Sequence, residues 1–229
     1  MILAGGLGTR LWPLTREIPK PMAPVAGVPY LEHQLRVLAR QNIKDIVLLI
    51  GYLGEQIEAY FGDGRALGLQ LRYAREITPL GTGGGLREAR ELLSPTFLVI
   101  YGDSYLPINY ADVLKRLEDS PATGIVAVYN NNLGNTTVEN NIAIDDERRV
   151  IRYNKGTADP SLTHVEAGVL AFRRQVVELI PADGVSSLEK EVFPKLIARG
   201  SLLAYPTNQR FYDIGTPDRL NEIQGLFTS

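Results

Sequence analysis

The chain has 229 residues, with 24 Lys and Arg against 26 Asp and Glu, two His and no Cys, for a formal net charge of −2 at pH 7. The lack of Cys excludes a disulfide framework, a thiolate-ligated zinc or iron–sulfur site and a cysteine nucleophile. The near-neutral charge argues against a chain devoted to gripping nucleic acid, and at ~100–200 residues per domain the length suits one large domain with an adequate core.

The apolar run Ile46–Ile50 falls far short of the ~18 residues of a membrane span. Met1 to Ala4 is apolar, but Gly5 and Gly6 end it and no basic segment precedes it, so it is not read as a secretory signal. A cytoplasmic globular protein without a membrane or nucleic-acid partner is expected.

In chain order, Ile2 to Ala4 reads as a short strand feeding a glycine-rich turn. A helix is expected from Pro29, with Leu31, Leu35 and Leu38 on one face. Ile46–Ile50 reads as a strand covered on both faces, Glu55 to Phe61 as a helix and Leu69 to Tyr73 as a strand. Leu86, Ala89, Leu92 and Leu93 have helical spacing after a second glycine cluster, and Phe97–Tyr101 is a further buried strand. Strand and helix therefore alternate three times, which predicts a parallel, doubly wound sheet.

After about residue 120 the strand-like runs Ile125–Tyr129, Ile142–Ile144, Val150–Tyr153 and Val165–Phe172 follow one another across Asn-rich and charged turns. Ser186 and Glu189 have capping-box spacing for a helix carrying Val192, Phe193, Leu196 and Ile197. Leu202–Tyr205 and Phe211–Tyr212 read as strands, and Thr216–Pro217 opens a last helix. The expectation is one domain over residues 1–229, with a 1–120 half and a 121–229 half richer in antiparallel strands. Asp145, Asp146, Glu189 and Glu191 read as solvated charges, and His33 and His164 lack ligand spacing.

Gly5–Gly6–Leu7–Gly8–Thr9–Arg10 directly follows the first strand. Glycines let a backbone turn tightly, and successive amides in such a turn form an anion-binding nest. Arg10 and Lys20 add two cations, one suited to bidentate phosphate contact and one a point charge. The segment is not a Walker A loop, which needs Gly-Lys-Ser/Thr. Nor is it a dinucleotide fingerprint, whose third glycine would stand at Leu11. Prolines at 13, 19 and 21 keep the loop irregular to about Pro29.

Asp103 follows the strand ending at Tyr101, and Asp213 follows Phe211–Tyr212. Ligands of open α/β sheets bind beyond the carboxyl ends of strands, and magnesium uses one or two protein carboxylates. Each Asp could equally cap a turn or helix. Gly81–Gly85 precedes a helical stretch, where its amides could face a base, ribose or phosphate, or serve the turn alone.

These segments resemble the sugar-1-phosphate nucleotidyltransferases. The opening Gly5-Gly-Leu-Gly-Thr-Arg-Leu11, Pro13-Leu-Thr15 and Pro19-Lys-Pro-Met22 matches their signature. Pro79-Leu-Gly-Thr-Gly-Gly-Gly85, Gly102-Asp-Ser104, Glu166-Ala-Gly168 and Asp213-Ile-Gly-Thr-Pro217 continue the resemblance in order. It implies a Rossmann-like mixed, mostly parallel α/β sheet flanked by helices. It also implies transfer of a nucleoside monophosphate from an NTP to a sugar 1-phosphate, with Mg2+ and release of pyrophosphate.

Carried over by motif, Arg10, Lys20 and Asp103 would be catalytic, with Asp103 and Asp213 holding the metal. Nucleotide contacts would come from Leu3, Ala4, Gly5, Gly6, Gly8, Thr9, Arg10, Pro79, Gly81, Thr82 and Gly102. Asn141, Lys155, Glu166 and Gly168 would face the sugar phosphate. The chain departs from the pattern at Asn154, where Glu is usual, at Gly156, where Pro is common, and at Asn141–Ile142, where relatives carry a glycine. The loop lacks the base-reading Gln of the thymidylyl type. The short form resembles mannoheptose 1-phosphate guanylyltransferases and N-acetylmuramate 1-phosphate uridylyltransferases. Guanylyl transfer to a mannoheptose or hexose 1-phosphate is therefore expected, with uridylyl or cytidylyl transfer or a non-catalytic nucleotide sensor as alternatives, in a monomer or homo-oligomer.

Overall fold

Continuous apolar runs bury best as strands covered on both faces, and the computed structural model forms its sheets from such runs. The structure describes residues 1–134, 136–156 and 159–228. They gather into two compact units, each taken by itself below. The first comprises Met1–Pro79, Tyr101–Tyr105 and the chain from Tyr212; the second comprises Leu80–Ile100 and Leu106–Phe211.

In the first unit Ile2–Leu3 pairs in parallel with Asp45–Ile50, which pairs in parallel with Gln70–Arg75. Helices Tyr30–Arg40 and Gly54–Phe61 fall where the periodicity places them. Leu31, Leu35 and Ile57 are fully buried. The proline-rich stretch resolves into three 3-10 turns, at Thr9–Leu11, Leu14–Arg16 and Lys20–Met22, and a tight hairpin pairing Pro24–Val25 with Val28–Pro29. A further ladder pairs Tyr212 with Tyr105 and Asp213 with Ser104.

In the second unit Val165–Arg173 runs antiparallel to both Thr96–Tyr101 and Gly124–Tyr129, and the latter pairs in parallel with Leu202–Thr207. Ile142–Ile144 and Val150–Tyr153 form a separate antiparallel pair. Sheets of three and four strands, flanked by helices and mixing parallel with antiparallel pairing, give the mixed α/β class that was expected.

Three local expectations are corrected. The second glycine cluster is itself helical: Gly81–Glu88 is a helix, and a 3-10 turn at Arg90–Leu92 replaces the longer helix expected beyond it. Glycine is a poor helix former, but contact decides here. A Cβ on Gly83 would lie 2.7 Å from Ser186 Oγ, and one on Gly84 2.8 Å from Leu80 Cβ. The capping residue is Ser187, one position later than expected, whose side chain accepts from Lys190 N above a π-helical turn at Leu188–Val192. Glu189 and Glu191 are not solvated charges, because Ser187 and Thr82 donate to Glu189 and Ser186 donates to Glu191.

Gly102 has the tightest fit in the first unit's added strand. Its amide donates to Leu3 O at 2.9 Å, and a Cβ would stand 2.5 Å from that same oxygen. Gly102→Ala should lower stability by about 1–3 kcal/mol, the usual cost of forcing extra atoms into a packed site. Urea unfolding, read as a shift of the midpoint at constant slope, checks this.

Candidate functional site

The first unit builds its site on the turn leaving Ile2–Leu3. Ala4 N donates to Leu49 O at 2.7 Å, so the strand register carries to the edge of the glycine turn. Gly8 sits at φ 64° and caps the 3-10 turn Thr9–Leu11. Its conformation and its surroundings both call for glycine: a Cβ would meet Lys20 Cβ at 2.9 Å and Thr15 Cβ at 3.3 Å. Fully buried Thr15 donates from Oγ1 to Gly8 O at 2.8 Å, closing the loop on itself. Gly6, Thr9 and Arg10 are left exposed at its rim.

Lys20 follows from this closure. It is buried, 9 % exposed, and its Nζ donates to Asp103 Oδ2 at 2.6 Å. Asp103 is placed by three backbone contacts around it. Gly102 N donates to Leu3 O, Ile214 N donates to Asp103 O at 3.0 Å, and Ser104 pairs with Asp213. Gln34 Nε2, from helix Tyr30–Arg40, donates to Tyr101 O at 2.8 Å and Ser104 O at 2.6 Å, pinning both ends of the segment.

Asp213 is therefore a strand neighbour of Asp103. Gly215 N donates to its Oδ1 at 2.6 Å, and Arg219 Nη1 donates to its Oδ2 at 3.1 Å. Arg10 reaches the same turn, since a Cβ on Gly215 would lie 3.4 Å from Arg10 Nη2. The two acids, far apart in sequence, and the cations Arg10, Lys20 and Arg219 thus meet in one unit.

No group of three or more His, Cys, Asp or Glu that would cage an ion occurs among the described residues. The donor set still fits a hard divalent cation. Such an ion takes one or two carboxylates and completes its shell with phosphate oxygens and water, and two carboxylates on adjoining strands offer that start. Beside the turn, a pocket of about 180 Å³ is lined by Gly5, Leu7, Gly51, Tyr52, Glu76, Ile77 and Pro79.

The second unit holds Asn141, Lys155, Glu166 and Gly168. Gly168 has φ 76°, and the pairing of Val165–Arg173 with Gly124–Tyr129 slips between Glu166 and Leu170. The glycine supplies the left-handed residue that such a bulge uses to re-aim a side chain. Asn141 Oδ1 accepts from Glu166 N at 2.9 Å, and Tyr153 Oη donates to Glu166 Oε2 at 2.9 Å. Burial, reinforced by the charges of Glu166 and Glu189, pushes the Tyr153 phenol far above its usual range. Lys155 is exposed on the turn beyond.

Thr82 is committed within this unit, donating to Glu189 Oε2 and accepting from Leu188 N, both at 2.9 Å. The Gly83 and Gly84 amides both donate to Ser186 O.

Sequence reasoning missed Gln34, Arg219, Tyr153, Glu189 and Glu76. Arg219 had a signal, lying one turn inside the helix opened by Thr216–Pro217 and six residues past Asp213. The others had none, because their partners lie 13 to 107 positions away in sequence.

The family model for nucleotidyl transferases matches residues 1–228. Mannose-1-phosphate guanylyltransferase of Mycobacterium tuberculosis is 38% identical over 95% of this chain, which spans 61% of that protein, less than two-thirds of its length. D-glycero-alpha-D-manno-heptose 1-phosphate guanylyltransferase of Campylobacter jejuni is 30% identical, with 95% of each chain covered. Among solved structures, HddC from Yersinia pseudotuberculosis, also known in complex with GMP-PN, superposes with a TM-score of 0.83 at 26% identity, covering 99% of this chain and 97% of that one. The glycine turn with its paired cations and acids is thus set in a chain that belongs to the nucleotidyl transferase family.

Proposed function

We propose that the chain transfers a nucleoside monophosphate from an NTP to a sugar 1-phosphate, and that the preferred pair is GTP with a mannoheptose or hexose 1-phosphate. The observation that carries this reading is the meeting of Lys20, Asp103, Asp213 and Arg10 beside the glycine turn of the first unit. The guanylyl choice draws support from the mannose and mannoheptose 1-phosphate enzymes among its relatives.

In the reaction a phosphate oxygen of the sugar 1-phosphate forms a bond to the α-phosphorus. The bond from that phosphorus to the bridging oxygen breaks, and pyrophosphate leaves with the electron pair. The attacking phosphate is already anionic, so no general base is required. The work lies in positioning and charge neutralisation. Arg10 and the Gly6 and Gly8 amides bind the phosphates, and Lys20 turns from Asp103 toward the α-phosphate.

Asp103 and Asp213 would hold Mg2+, which when bound supplies charge neutralisation for the phosphate oxygens. Leu3, Ala4, Gly5, Thr9, Pro79, Gly81, Thr82 and Gly102 shape the nucleotide side. Asn141, Lys155, Glu166 and Gly168 take the sugar phosphate, with Glu166 accepting from sugar hydroxyls. In this reading residues 1–120 serve the nucleotide and 121–229 the sugar, apart from Asp213, within one catalytic domain. Both substrates are small soluble anions, in keeping with a cytoplasmic protein. No helix among the described residues is long and apolar enough to cross a membrane.

Pyrophosphate release from each of four NTPs against a panel of sugar 1-phosphates, with Mg2+ present, tests the reading; silence across the whole panel would refute it. On the productive pair, Lys20→Ala and Arg10→Ala should each lower kcat by roughly 10²- to 10³-fold, the cost of removing one group that stabilises developing charge. Near-normal turnover in either variant would remove that residue from the mechanism. Tyr153→Phe should instead raise KM for the sugar 1-phosphate about 5- to 20-fold with little change for the NTP, because one hydrogen bond to a charged group is lost from Glu166. Initial rates with each substrate varied in turn check that split.

A further inference from the structure

The pocket beside Gly5 contains one ionisable side chain that the catalytic assignment does not use. Glu76 directly follows the strand Gln70–Arg75, and its backbone N–H donates to Ile50 O at 2.8 Å, so the ladder fixes where it starts. Its carboxylate lies against the first glycine of the phosphate-binding turn, where a Cβ on Gly5 would stand 2.6 Å from Glu76 Oε2. A Cβ on Gly51 would in turn stand 2.9 Å from Gly5 O. Two glycines thus lie together at the base of the pocket and allow a close approach. Leu7 and Ile77 add apolar surface that is 49 % and 96 % exposed.

At about 180 Å³ the pocket is too small for a whole drug-sized ligand, which takes upward of ~300 Å³, but is of the order of one ring system. It offers uncovered apolar surface, an acceptor group and direct continuity with a phosphate-binding turn. That combination describes a seat for the base of a nucleotide.

The carboxylate selects among bases. An ionised Glu is acceptor-only and can take two parallel donors side by side. Guanine presents two such donors next to each other, N1–H and the N2 amine. Adenine sets a donor beside an acceptor, as does cytosine, and uracil and thymine set a single N3–H between two carbonyl oxygens. Each of those would turn a lone pair toward the carboxylate.

We propose that Glu76 is a specificity-determining residue that selects guanine by accepting from N1–H and the N2 amine together; this rests on the nucleotidyl-transfer reading above. The substitution Glu76→Gln keeps the shape but replaces one acceptor by a donor, a pattern that matches the N3–H and adjacent carbonyl of uracil.

Equilibrium dialysis of GTP, ITP and UTP with Mg2+, using the unmodified chain and Glu76→Gln, tests the assignment without needing turnover. ITP lacks only the N2 amine. The unmodified chain should bind GTP about 10- to 100-fold more tightly than ITP, the discrimination of a good bidentate pair. In Glu76→Gln that gap should close and UTP should gain. A gap that persists unchanged in a folded Glu76→Gln, and again in Glu76→Ala, overturns Glu76 as the reader while leaving the nucleotidyl-transfer reading standing. Preference of the unmodified chain for UTP or CTP overturns the guanine assignment alone. Failure to bind any triphosphate overturns it together with the reading on which it rests.

Discussion

The first unit depends on burying an ammonium group next to a carboxylate. Removing Lys20 Nζ from water costs several kcal/mol, and a buried ion pair recovers that only when its geometry is fixed and its partner is close. The 2.6 Å contact with Asp103 meets the condition. Both ends must then be held by groups that cannot drift. Gly8 and Thr15 lock the loop that carries Lys20, while Leu3 O, Gln34 and the ladder with Tyr212–Asp213 lock the segment carrying Asp103. The tight glycines and the buried amide of Gln34 are therefore conditions of one electrostatic arrangement.

The second unit solves a similar problem with a neutral donor. Glu166 is buried, 8 % exposed, and sits on a bulged strand. Its carboxylate accepts from the Tyr153 phenol, whose ring packs edge-on against Phe193 at 5.1 Å. Burial holds that phenol's proton on far above the usual tyrosine range. The donor therefore survives at any pH at which the protein stays folded, and Glu166 remains an oriented acceptor. The nearby Glu189 is already committed to Thr82 and Ser187. In the proposed reaction this division leaves Glu166 as the acid facing a polyol and Glu189 as the clamp on the glycine helix.

The sequence made legible those features whose cause is local. Apolar runs located the strands because their burial is written in consecutive residues, as at Asp45–Ile50. The glycine turn was legible because backbone geometry alone demands it at Gly8. The meeting of Asp103 and Asp213 could be anticipated only through family resemblance, since it is made by a two-residue ladder between segments more than a hundred positions apart. Features set by long-range packing were misread. Gly81–Gly85 looks unfit for a helix until Ser186 is seen filling the space where side chains would go. Glu189 looks like a solvated charge until Thr82 is brought to it. Glu76 carried no motif, and only its position against Gly5 marks it out.

A chain of net charge −2 that handles two polyanions must place its positive charge locally. The structure shows two of those charges already paired, Lys20 with Asp103 and Arg219 with Asp213. Pairing keeps the buried charges balanced before substrate arrives, which an isolated buried cation could not do cheaply. In the proposed reaction the same pairing links the two ligands. A phosphate that draws Lys20 or Arg219 away frees carboxylate oxygens for a divalent cation, and a cation held by those oxygens releases the basic groups to phosphate. By linkage each ligand must then raise the affinity for the other by the same factor. The acids and bases of this site act as mutual placeholders, and the order of binding follows from whichever ligand is more abundant.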